Sequence, residues 1–170
     1  MSFPPVMAFV SRYGLASSCT STPGWSSCAA KTTLVAVAIV PTPEGRRARI
    51  VRSDDSTVWH LALDGTWTAT DDDDVEAGSV HTGSVRALPA ACPRLHHTEI
   101  AFTDGALFVM TDGVGLPLAT TPEVGATLAG WWATPPPIFR FAGQVGFARK
   151  THLDDRTVVG VWVVPPGAAG

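Results

Sequence analysis

The feature that most constrains this chain is the apolar run Ala106-Leu107-Phe108-Val109-Met110, which passes directly into Thr111-Asp112-Gly113-Val114-Gly115. A short, unbroken apolar segment bounded by turn residues reads as a buried strand. At its end Asp112 presents a carboxylate from a rigid base. Gly113 is expected to let the backbone turn sharply or approach a ligand closely. A second such place lies near the C-terminus, where Leu153-Asp154-Asp155-Arg156-Thr157 feeds the apolar strand Val158 to Val164. Two acidic strand edges, each backed by a hydrophobic strand, are suited to meet around a hard cation.

A chain of 170 residues suffices for one compact domain and is too short for two. Apolar residues make up 45% and charged residues 16%, which excludes global disorder. A net charge of −3 offers nothing to nucleic acid or to an anionic membrane surface. Cys19, Cys28 and Cys92 are odd in number and lack metal-ligand spacing. Free thiols in a reducing cytosol are the expectation, and with them a cytoplasmic location. No apolar run approaches the roughly 20 residues that span a bilayer. The N-terminus shows no basic stretch ahead of an apolar core, so a signal peptide is not expected.

Residues 1–30 are rich in Ser, Pro and Gly, and no strand or helix period can be sustained there, so an irregular segment is expected. From Lys31 the character changes. Thr32 to Val40, Arg47 to Val51 and Thr57 to Leu63 read as strands of an antiparallel meander, with turns at Pro41-Thr42-Pro43-Glu44-Gly45 and Asp64-Gly65. Asp71 to Asp74 are mutually repelling carboxylates and read as a solvated loop. Leu95 to Phe102 is a further strand, and Asp104-Gly105 turns the chain into the central one. Two helices are expected after Asp112. Thr121 caps the first, with Pro122 at its opening position, and Val124, Leu128, Trp131 and Trp132 form its apolar face. Pro135-Pro136-Pro137 separates it from the second, which carries Ile138, Phe141, Ala142 and Val145. Residues 165–170 read as a flexible tail.

Among candidate chemistries, His96-His97 cannot share an ion, because neighbours in a strand point to opposite faces. His152 reads as a surface histidine. No phosphate-cradling glycine loop is present, and no nucleophile elbow surrounds Ser53 or Ser56. Carboxylates remain: Asp112, Asp154 and Asp55 each sit at a strand boundary. Aspartates with glycine and without cysteine suit Mg²⁺ or Mn²⁺.

The order of these pieces resembles the C-terminal part of the PP2C family of metal-dependent protein phosphatases, bacterial members in particular. Met110-Thr111-Asp112-Gly113-Val114-Gly115 is similar to that family's hydrophobic strand followed by Ser/Thr-Asp-Gly. His152-Leu153-Asp154-Asp155-Arg156-Thr157 with Val158-Val159-Gly160-Val161-Trp162 is similar to its closing acidic motif and last strand. Asp54-Asp55-Ser56 resembles its Gly-Asp-Ser turn, and Thr32-Thr33-Leu34-Val35 an upstream strand. The resemblance covers about Lys31 to Val164.

It implies an α+β fold, part of an α-β-β-α sandwich of antiparallel sheets with helices on the outer faces. It also implies Asp112 and Asp154 as metal ligands, Asp55 as a ligand of a more weakly held ion, and Gly113 as the turn beside them. The activity implied is hydrolysis of phosphoserine or phosphothreonine by metal-activated water, on a phosphorylated protein and without nucleic-acid or membrane partners.

The family's opening half carries a phosphate-binding arginine, an acidic motif and an Asp-Gly-x-Gly motif. None is found here, so a truncated domain over 31–164 with impaired or absent activity is expected. The rival expectations are a non-catalytic binding module that pairs through exposed sheet edges, and a gene fragment.

Overall fold

The computed structural model of the chain describes residues 6–14, 31–53, 56–70, 95–147 and 155–163. In chain order the elements are β1 (Val6–Gly14), β2 (Lys31–Thr42), β3 (Gly45–Ser53), β4 (Thr57–Leu61), β5 (Trp67–Ala69), β6 (His96–Phe102) and β7 (Ala106–Met110). They continue with α1 (Asp112–Thr120), α2 (Pro122–Trp132), α3 (Ile138–Val145) and β8 (Val158–Trp162).

Among the described residues two four-stranded sheets result, with orders β1-β2-β3-β6 and β5-β4-β7-β8, and every pairing is antiparallel. The fold is α+β, as the family resemblance implies. Strand periodicity explains the layers. Alternate residues Val35, Val37 and Ile39 of β2, with Ala48 and Ile50 of β3, face Val58, Leu107 and Val109 of the second sheet in one apolar cluster. The intervening residues of β7, namely Ala106, Phe108 and Met110, join Val114, Leu118, Leu128 and Trp132 of the helices. Thus β7 is buried along its whole length because it has a sheet on one side and helices on the other. Phe108 is wholly buried and stacks on Trp132 with ring centroids 5.1 Å apart.

Several expectations need correction. The irregular segment is interrupted by β1, which runs antiparallel to β2 from Val6↔Ile39 to Gly14↔Lys31. The long β2 supplies the ladder that local sequence does not advertise. The meander also ends at β3, because β4 belongs to the other sheet. Likewise the Asp104-Gly105 turn carries the chain from β6 in one sheet to β7 in the other. A helix the sequence did not suggest, α1, follows β7 directly. Thr121 occupies the N-cap of α2 without a side-chain capping bond. Leu128 and Trp132 are buried, but Trp131 is 37% exposed and Ile138 is 71% exposed. Of the residues expected on α3, Phe141 and Val145 pack on the apolar cluster, and the Phe141 ring lies 5.4 Å from Trp132 and 5.8 Å from Trp162. Among the described residues, helices cover the outer face of the β5-β4-β7-β8 sheet only, and none is long and apolar enough to cross a membrane.

On the other sheet Arg49 lies opposite Glu99 and donates to it at 2.8 Å, and Arg47 stands 3.3 Å from the same carboxylate. The Arg49 hydrogen bond, then the Arg49 and Arg47 charges, hold the Glu99 carboxyl below its ordinary value of 4.5. A carboxyl lowered on folding adds stability that is complete above its unfolded value and disappears as pH falls through the folded one. Glu99→Gln is therefore expected to flatten the dependence of melting temperature on pH below 4.5, slightly and more visibly at low salt. An acid limb unchanged in slope would refute this.

Candidate functional site at the ends of β7 and β8

Three strands end in one row. Thr57, which opens β4, pairs with Met110, which closes β7, and Met110 pairs with Val158, which opens β8. The acidic stretches of the sequence adjoin these three positions: Asp54-Asp55 before β4, Asp112 after β7, and Asp154-Asp155 before β8. Asp112, Gly113 and Asp155 belong to the described residues. Asp54, Asp55, Asp71 to Asp74, His152, Asp154, the three cysteines and the tail lie outside them.

Thr111 is the fastening of this end. It is 1% exposed, and its hydroxyl donates to the Asp155 carbonyl at 2.9 Å while accepting from the Thr157 N–H at 3.0 Å. Its own N–H donates to the Thr157 carbonyl at 3.1 Å, which prolongs the β7–β8 ladder by one pair. The same residue is the N-cap of α1, with extended backbone and no side-chain capping bond. The physical reason is that its hydroxyl is already engaged across the sheet. Its carbonyl meanwhile accepts from the N–H groups of Val114 and Gly115 at 3.0 and 2.9 Å.

Asp112 is the first residue of α1 and half-buried, and its Oδ1 accepts from the Gly113 N–H at 2.9 Å. A carboxylate at this position also suits the positive end of the helix dipole. Gly113 is the second residue of the helix, and the chain changes direction at extended Thr111. Among the described residues the glycines with positive φ are Gly45, Gly65 and Gly105. Within α1 the glycine that close packing demands is Gly115. A Cβ there would stand 2.3 Å from the Thr57 hydroxyl oxygen, which in turn accepts from Trp59 Nε1 at 3.1 Å. Its missing side chain lets α1 begin hard against β4.

Arg156 completes the arrangement. Its Nε donates to the Gly113 carbonyl at 3.1 Å, a second guanidinium nitrogen donates to the Phe147 carbonyl, and its charge centre lies 4.4 Å from the Phe147 ring centroid. Sequence reading singled out neither Thr111 nor Arg156 as a site residue. Both act across more than 40 positions of sequence in their bonds to Asp155, Thr157 and Gly113. No local pattern announces such partners.

Among the described residues no group of three or more His, Cys, Asp or Glu side chains is placed to hold a metal ion. The Asp112 carboxylate at the start of α1 offers oxygen donors. Their chemistry fits a hard divalent cation such as Mg²⁺ or Mn²⁺. Replacing Thr111 by valine, which keeps the shape and removes the hydroxyl, leaves the Asp155 carbonyl and the Thr157 N–H without their partner. The expected loss is about 2 kcal/mol in urea denaturation, with Thr111→Ser close to the parent. Equal losses in the two variants would mean that packing, not the hydroxyl, holds the strands.

No family model and no curated protein matches the chain. Among solved structures, the chain is similar to a point variant of a bacterial serine phosphatase, with TM-score 0.48 and 15% identity over 78% of this chain and 53% of that one. It is similar also to the catalytic domain of the serine/threonine protein phosphatase PstP in complex with manganese ions, with TM-score 0.35 and 21% identity over 60% and 52%. The Mycobacterium tuberculosis phosphatase PstP/Ppp gives TM-score 0.34 and 23% identity over 62% and 54%. The chain thus spans about half the length of these structures.

Proposed function

We propose that the chain is a PP2C-like domain that acts on phosphoserine or phosphothreonine in proteins with Mg²⁺ or Mn²⁺. The observation that carries this reading is the row Thr57–Met110–Val158, which gathers the three strand ends next to the acidic stretches. In the proposal Asp112 and Asp154 hold the ion, and Asp55 serves a more weakly held one. When bound, such an ion makes a water nucleophilic near neutral pH and offsets charge on a phosphoryl group. The chain's own part is placement. Thr111 fixes the end of β7 against Asp155, the Gly113 N–H directs one oxygen of Asp112, and Gly115 lets α1 start at this depth. A rigid support of this kind is what a carboxylate ligand needs.

The test is hydrolysis of a small aryl phosphate with Mn²⁺ by the chain and by Asp112→Ala. Turnover that depends on Mn²⁺ and falls at least about tenfold in the variant, equivalent to ~1.4 kcal/mol, is the expected result. Turnover that Asp112→Ala leaves intact overturns the proposed centre.

A second reading, a non-catalytic binding module, draws on a different observation. Leu34 and Val40 are each 36% exposed on the β1-β2-β3-β6 sheet, whose order leaves β1 and β6 as its outermost strands. Absence of any Mn²⁺-dependent turnover in the parent chain favours that reading over the first.

A further inference from the structure

Helix α1 carries a defect, and its repair comes from the residue just beyond the second acidic stretch. In a regular helix the Gly113 carbonyl would accept from the N–H of residue 117. That residue is Pro117, which lies inside α1 and has no N–H to give. The helix nevertheless continues to Thr120, and Gly113 and Pro117 are both buried. A buried carbonyl deprived of its helical donor has to find another. Arg156 Nε supplies it, at 3.1 Å.

The same guanidinium also donates to the Phe147 carbonyl, just past α3, and lies over the Phe147 ring at 4.4 Å. Its chain neighbours on both sides are fastened as well, the Asp155 carbonyl and the Thr157 N–H both to the Thr111 hydroxyl. One side chain thereby joins the first turn of α1, the chain two residues past α3 and the approach to β8. Arginine suits this place because its planar fork presents donors in fixed directions while its face rests on an aromatic ring. Lysine offers a single flexible point charge. Two guanidinium nitrogens are directed at main-chain carbonyls, which is a holding task.

We propose that Arg156 is a positioning residue: it fills the donor place that Pro117 leaves on the Gly113 carbonyl and so holds Asp112 in register with Asp155 ahead of β8. The inference rests on the proposed metal-dependent reading of the site. It adds that Pro117 and Arg156 act as a matched pair, in which the proline frees a carbonyl and the arginine uses it to bind two distant segments.

The test is Mn²⁺ titration of the full chain, following unbound Mn²⁺ by electron paramagnetic resonance, with melting temperature recorded beside it. Arg156→Lys is expected to raise the Mn²⁺ Kd by about tenfold or more. Pro117→Ala returns a helical N–H to the Gly113 carbonyl. In that background the added effect of Arg156→Lys is expected to shrink to about twofold. Val161→Ala serves as a control for general loss of stability, and is expected to lower the melting temperature without moving the Kd.

An unchanged Kd in Arg156→Lys, or an equal loss in the Pro117→Ala background, overturns this inference and leaves the metal-dependent reading standing. A parent chain that takes up no Mn²⁺ overturns both. Should Arg156→Lys fail to fold, recovery of folding on adding Pro117→Ala supports the pairing, and no recovery overturns it.

Discussion

Trp132→Ala is expected to cost about 4 kcal/mol of stability, the largest loss from any single core truncation in this chain. Trp132 is completely buried in the layer between the second sheet and the helices. It stacks on Phe108 and meets the rings of Trp67 and Phe141 edge-on, with centroids at 5.1, 6.3 and 5.4 Å. Alanine would remove the plate against which these rings are arranged, and the strands below are too well paired to collapse into the gap. The indole nitrogen is a separate matter. Among the described residues Trp132 Nε1 is a buried donor without a hydrogen-bond partner. Trp132→Phe loses ring area but also removes that donor, so it is expected to cost only about 1 kcal/mol. Urea denaturation of both variants reads the difference. If alanine and phenylalanine proved equally costly, the stacked-plate account would be wrong.

The second large effect is expected at Gly105, where substitution by alanine should cost about 4 kcal/mol. Two penalties add there. Gly105 has φ of +76°, a left-handed conformation that a Cβ disfavours by about 1–2 kcal/mol. That Cβ would also stand 2.1 Å from the Leu61 carbonyl oxygen, and a backbone atom cannot move aside as a flexible side chain can. Relief requires the β6–β7 crossing to open, which pulls on His60 Nε2, donating to the Asp104 carbonyl at 2.9 Å, and on Val163, whose N–H donates to the Gly105 carbonyl at 2.9 Å. The measurement is again an unfolding midpoint, with Gly65→Ala as comparison. Gly65 also has positive φ, but its nearest foreign atom is the Ala129 Cβ at 3.9 Å, so only the conformational penalty applies. Equal costs at the two glycines would show that the close approach contributes nothing.

The residues that drew attention in the sequence did so through local pattern. An apolar run with no interruption implied a strand covered on both faces, and β7 spans the same Ala106 to Met110. Asp112 stood out because a carboxylate directly after such a run has a rigid base. Helix α1 did not stand out. Gly113, Gly115 and Pro117 are all poor helix formers, and a reading by propensity turns them into loop. Tertiary contacts override that local preference. Gly115 is needed for the close approach to Thr57, Val114 and Leu118 enter the apolar cluster beneath the helices, and Arg156 serves the carbonyl that Pro117 leaves. The sheet assignment of β4 was equally hidden, since an antiparallel neighbour and a partner across a sandwich present the same alternation in sequence.

The positions of β2, β3, β4, β6, β7 and β8, the buried character of β7 and the carboxylate at its end were thus decided by the order of residues alone, because side-chain period and turn chemistry act over a few positions. Which strands share a sheet, whether α1 exists, and how Thr111 and Arg156 fasten one acidic stretch to the other were decided only in three dimensions. Hydrogen bonds that join residues 43 to 46 positions apart depend on where the whole chain has gone, and no short window of sequence carries that information.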